Sequence, residues 1–174
     1  YMDIHNYHPE HHNIDENLLR CTVQFKTYNS LDAVPSEKAI YCVLKKKRRS
    51  CENPVVIYVK YADSKEAAIP DDIDQKCSDS CGTDAVLLYL VGTCDDYPVA
   101  EAALIRGFAP EFNGTVCDND LVKEDSVKLG VYLILDGWLY GDLYSQEANA
   151  GKRHIERVYT EEGMMRNERM NGKS

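Results

Sequence analysis

The chain reads as all-β: an antiparallel two-sheet β-sandwich stapled by disulfides. Three observations predict this. About seven short apolar runs are separated by turn-forming residues, the pattern of a sandwich or barrel. Seven cysteines are spread along the chain instead of clustering. The pair Asp136-Gly137 stands between two apolar runs, a strong hairpin signal because both central residues of such a turn need positive φ.

Residues 1–17 are polar, rich in His, Asn and Glu, and without periodicity, so they read as an arm. From 18 the pattern changes. Leu19, Cys21, Val23 and Phe25 alternate with Arg20, Thr22, Gln24 and Lys26, which is a strand with one wet face. Ala33-Val34-Pro35-Ser36 breaks it. Ile40, Cys42 and Leu44 mark a second strand. Lys45, Lys46, Lys47, Arg48 and Arg49 then read as a solvated hairpin tip, and Asn53-Pro54 turns the chain into a third strand, Val55 to Tyr61. The stretch from Ala62 to Thr83 is a long acidic connection with room for one helical turn. Ala85 to Val91 is apolar on both faces and reads as a central strand. Ala100 to Arg106 reads as a strand or a short helix, the strand favoured because Gly107 and Pro110 close it quickly, and Phe112 to Asp120 as a loop. Val127 to Leu135 is the strongest strand, returning through Asp136-Gly137 into Trp138 to Tyr144. The expected domain is 18–150, with 151–174 a charged helix or tail.

Composition narrows the function. A formal net charge of −9 argues against nucleic acid, whose phosphates need a basic footprint, and suits a basic partner. No run of about 18 apolar residues offers a membrane span. The chain opens on Tyr1, read as a sign that a segment precedes it. Cys21, Cys42, Cys51, Cys77, Cys81, Cys94 and Cys117 are disulfide candidates. Their odd number leaves at least one thiol over. Asn113-Gly114-Thr115 is an N-glycosylation acceptor, and together with the cysteines it points to the endoplasmic reticulum lumen or secretion.

Little in the chain suggests catalysis. His5, His8, His11 and His12 crowd the arm, but their spacing matches no ordered zinc module and Pro9 breaks any helix that could align them. They are instead candidate pH sensors, since imidazoles titrate near the pH of the secretory pathway. Cys77-x-x-x-Cys81 is neither the redox spacing nor half of a zinc site. No nucleophile elbow, phosphate loop or metalloprotease motif occurs. The expectation is a binding protein, not an enzyme, without cofactor or metal. Its 12 tyrosines, against 3 Phe and 1 Trp, suit sheet faces and interfaces.

One stretch resembles a known family. Ile57-Tyr58-Val59-Lys60-Tyr61-Ala62-Asp63, the acidic connection, and Ala85 to Cys94, with Cys42 upstream and Cys117 and the Val127–Leu135 hairpin downstream, are similar to the poxvirus secreted chemokine-binding proteins. The similarity covers roughly 40–145. It implies a two-sheet sandwich used in immune evasion, in a family that includes chemokine binders and a cowpox protein that retains MHC class I. The long acidic loop of the chemokine binders is absent, as are an early cysteine and one near Asp136. The resemblance therefore implies MHC class I ahead of a chemokine as the host partner. A lipocalin-like small-molecule carrier is the alternative, although the Gly-x-Trp opening of that fold is missing.

Overall fold

The computed structural model describes residues 18–48, 54–82, 84–114, 118–124, 126–136 and 138–144. The expected arm 1–17, with His5, His8, His11 and His12, and the expected tail 151–174 lie outside them.

The protein is mixed α/β, which corrects the all-β sandwich. Six strands, β1 (Leu18–Tyr28), β2 (Ala39–Lys47), β3 (Val55–Ala62), β4 (Ala85–Thr93), β5 (Lys128–Leu135) and β6 (Trp138–Tyr144), form one sheet in the order β3-β2-β4-β1-β5-β6. Every neighbouring pair is antiparallel except β1 and β5, which run parallel. Helices α1 (Lys65–Ala68) and α2 (Ile73–Cys81) join β3 to β4. Helix α3 (Tyr97–Phe108) joins β4 to β5.

The reason for the mixed fold is burial on both faces. All of Ala39 to Leu44 on β2 is buried, so both faces of that strand need a cover. In a sandwich each strand would keep one wet face. Here α3 covers one face, where Val99, Ala103 and Leu104 share a core with Val23, Phe25, Ile40, Cys42, Val59 and Leu129. On the other face Ile69, Ile73 and Cys77 pack against Tyr41, Val43, Ile57, Tyr89 and Val91. Ile73 and Cys77 are four residues apart, which places them on one side of α2.

Helix α3 stands where Ala100 to Arg106 was expected to be a strand. Its start is capped: the Asp96 side chain accepts from the Val99 backbone N–H at 3.3 Å, and a proline occupies the first turn. It ends at Ala109, in the left-handed region at φ 47°, followed by Pro110. Arg106 then donates to the carbonyls of Leu121, Glu124 and Val127 at 2.9–3.2 Å, clamping the loop that leads into β5. Short 3-10 turns at Leu31–Ala33, Glu111–Asn113 and Asp120–Val122 complete the connections.

Close packing sets one glycine. A Cβ on Gly92 would lie 2.5 Å from the Phe25 ring and 2.6 Å from a Val23 methyl, so only glycine lets both side chains cross β4. The β5–β6 hairpin is present, with Leu135 opposite Trp138 and Asp136 at φ 50°.

The disulfide staples are also corrected. Cys21, Cys42, Cys77 and Cys94 are free thiols. Cys42 and Cys77 belong to opposite cores with the sheet between them, so they cannot bridge. The two packed faces supply the cohesion that staples were expected to give. Cys51 and Cys117 lie outside the described residues, as does the side chain of Cys81.

Candidate binding cleft on the open half of the sheet

The two helix layers differ in reach. Helix α3 packs on strands across the sheet, including β1, β3 and β5. On the opposite face α1 packs against β3 and α2 against β4. Among the described residues, no helix continues that cover over β1 and β5.

The residues on this open half follow from register. Gln24 is opposite Thr93 on β4 and Ile134 on β5, and Lys26 is opposite Val91. Arg20, Thr22, Gln24 and Lys26, the wet side of β1 in the sequence, therefore face it together. Beside them the Arg20 guanidinium sits 4.5 Å from the centre of the Tyr132 ring, and its Nη1 donates to the Tyr132 hydroxyl at 2.6 Å.

At the other end of β1 this surface deepens into an open cleft of about 670 Å³. Its floor is Gln24, Lys26, Val91 and Thr93, and its walls are Tyr28, Pro35, Glu37 and Asp136. Both walls are fixed. The buried Tyr41 hydroxyl accepts from the Glu37 backbone N–H at 2.8 Å and lies 2.6 Å from the Glu37 carbonyl oxygen, to which it donates. That pins 35–37 over the sheet, and burial pushes the Tyr41 phenol up so that it keeps its proton. Opposite, the Asp136 carboxylate accepts from Thr27 N–H at 3.0 Å and Thr27 Oγ1 at 2.8 Å. The Asp136 N–H donates to the Phe25 carbonyl oxygen at 2.9 Å. The cleft is thus a rigid, mixed-charge hollow with Gln24, Lys26, Thr93 and Glu37 presented to solvent. Such a surface can hold a polar chain by hydrogen bonds and paired charge.

A second hollow of about 420 Å³ lies by α2, among Arg48, Asp74, Cys77 and Tyr89. Burial, with the nearby Asp74 and Cys77, pushes the Tyr89 phenol up to about 12, so it is a neutral hydrogen-bonding group. Among the described residues no three His, Cys, Asp or Glu side chains gather as a metal site. No helix of the described residues is long and apolar enough to cross a membrane.

Asn113, the glycosylation candidate, is half-buried and closes the β3 edge. Its Oδ1 accepts from Val59 N–H at 2.9 Å and its Nδ2 donates to the Val59 carbonyl at 2.8 Å. Two residues along, the buried Glu101 of α3 accepts from Tyr61 N–H at 2.7 Å and from Asn119 Nδ2 at 3.0 Å. These side chains occupy outward backbone groups that an edge strand would otherwise offer to another chain.

No family model, curated protein or solved structure matches this chain. The cleft residues were half legible in the sequence. The alternation along β1 marks the wet side, but Thr93 joins it through strand order, Glu37 through the Tyr41 hydroxyl and Asp136 through its bonds to Thr27.

Proposed function

We propose that this chain is a binding protein whose protein partner docks on the open half of the sheet, over the cleft between β1, the 35–37 segment and Asp136. The observation that supports this best is the asymmetry of cover: on one face α3 packs on strands across the sheet, while the other leaves a rigid polar cleft beside β1. A cavity built for an apolar carrier ligand would be enclosed and lined mainly by hydrophobic side chains. This one is open and lined by Gln24, Lys26, Thr93 and Glu37.

The partner classes are the ones the sequence resemblance implies, MHC class I first and a chemokine second, encountered in the endoplasmic reticulum lumen or outside the cell. The single mixed sheet differs from the sandwich which that resemblance carried, and the four free thiols remove its disulfide support. The partner is therefore best tested directly. Purified class I ectodomain and a basic chemokine are each titrated against the full chain and against the double variant Gln24→Arg, Thr93→Arg, two exposed floor positions. The expected result is binding to class I that weakens about tenfold or more in the variant, with an unchanged melting curve. Binding to neither protein would overturn the partner assignment. Equal affinity for wild type and variant would overturn the site.

A further inference from the structure

We propose that Cys21 and Cys94 are a redox pair, closed by a small disulfide such as oxidised glutathione into a bond that ties β1 to the N-terminal end of α3. The inference is independent of the binding cleft, which lies on the opposite face of the sheet.

Topology brings the two sulfurs together. The β1–β4 ladder ends with Gln24 opposite Thr93. One further step sets Cys94 across from Val23, and Cys21 is the next β1 residue on that same face, a diagonal neighbour. Both side chains pack, half-buried, against the α3-side core. The two thiols are hydrogen-bonded to each other, with Cys94 the acceptor, and a second donor, the Asp96 backbone N–H, also reaches Cys94.

The two cysteines are not equivalent. Donation from Cys21, then from the Asp96 N–H, holds the Cys94 thiol below its ordinary range, against burial and the carboxylates of Asp96 and Asp95. Cys21 is pushed up, chiefly because its proton is held toward Cys94, and further by burial. The Asp96 backbone N–H donates to Cys94 and not to Cys21, which makes Cys94 the attacking sulfur and Cys21 the resolving one. Cys42, in the same core but fully buried, is pushed up by burial alone. It is the internal control.

The chemistry balances as thiol–disulfide exchange. The Cys94 thiolate attacks one sulfur of oxidised glutathione, forming a mixed disulfide and expelling a glutathione thiolate, which takes up a proton. Cys21 then loses its proton, attacks the Cys94 sulfur, and expels the second glutathione as a thiol. Two protein thiols are oxidised by two electrons while one glutathione disulfide is reduced to two thiols.

The test uses the reduced full chain, exposed to oxidised glutathione, quenched by alkylation over time and mapped by peptide mass spectrometry. The expected result is glutathione on Cys94 at least about tenfold faster than on Cys42, followed by a peptide in which Cys21 and Cys94 are linked. In Cys21→Ser the adduct on Cys94 should persist. In Cys94→Ser, Cys21 should remain a thiol over the interval in which wild type closes. Modification of Cys94 no faster than Cys42 would overturn the proposal, as would linkage of Cys94 to any other cysteine of the native chain.

Discussion

Asp136 serves the hairpin and the cleft at once. Its backbone sits at φ 50°, a conformation that costs an ordinary L residue about 1–2 kcal/mol but that Asp tolerates comparatively well. Its carboxylate takes both donors of Thr27, and so ties the turn after β5 to the end of β1. Asp136→Ala removes those bonds and leaves a Cβ with no local compensation for the left-handed backbone. Asp136→Gly removes the bonds but frees the backbone. The expected losses are about 2 kcal/mol for Ala and about 1 kcal/mol for Gly, read from urea denaturation midpoints. Equal losses, or none, would mean that the turn conformation is not what the residue maintains. Asn113 likewise joins distant segments, its amide bonding both backbone groups of Val59 and so closing the β3 edge.

Helix α3 is the element that decides the fold, and it is where residue pattern misleads most. Val99, Ala100, Ala102, Ala103 and Leu104 are all buried, so the segment shows little of the polar face by which a helix is recognised. Nearby Gly107 and Pro110 then suggest a short strand. The signals for a helix were present but local: Asp96 as cap, Pro98 in the first turn, and alanines too small to prefer a sheet. The strands themselves were legible because alternation or continuous apolar character marks each of them, down to the two-residue turn before β6. Their order was not, because β1 lies between β4 and β5 only through pairings far apart in sequence. The cleft shares that limit. Its β1 side is written in the alternation of Gln24 and Lys26, while Glu37 arrives through the hydroxyl of Tyr41. At the end of α3, Ala109 holds the left-handed cap that helices usually give to glycine, and it is solvent-exposed. Ala109→Gly should therefore stabilise the protein by about 0.5–1 kcal/mol, seen as a raised denaturation midpoint. A lowered midpoint would show that the cap conformation is not held in solution.

At the scale of the whole molecule the two faces differ in how far helices cover them. One is packed by α3, which Glu101 and Arg106 lock to the β3 edge and to the loop before β5, with Cys21 and Cys94 half-buried at its margin. The other is covered over β3, β2 and β4 and open over β1 and β5, where the cleft lies. With a net charge of −9, association of this chain with a basic surface should slow as salt rises, measured as the on-rate at two ionic strengths. At the β3 edge the backbone groups of Val59 and the Tyr61 N–H are taken by the side chains of Asn113 and Glu101, which opposes strand addition there. The most direct test is an amide-exchange and chemical-shift footprint of the full chain with its bound partner. The account predicts perturbation at Gln24, Lys26, Glu37 and Thr93, and none at Lys60, Glu101 or Asp118 along the β3 edge and α3. A footprint centred on α3 or on β3, with the β1 residues unmoved, would contradict it.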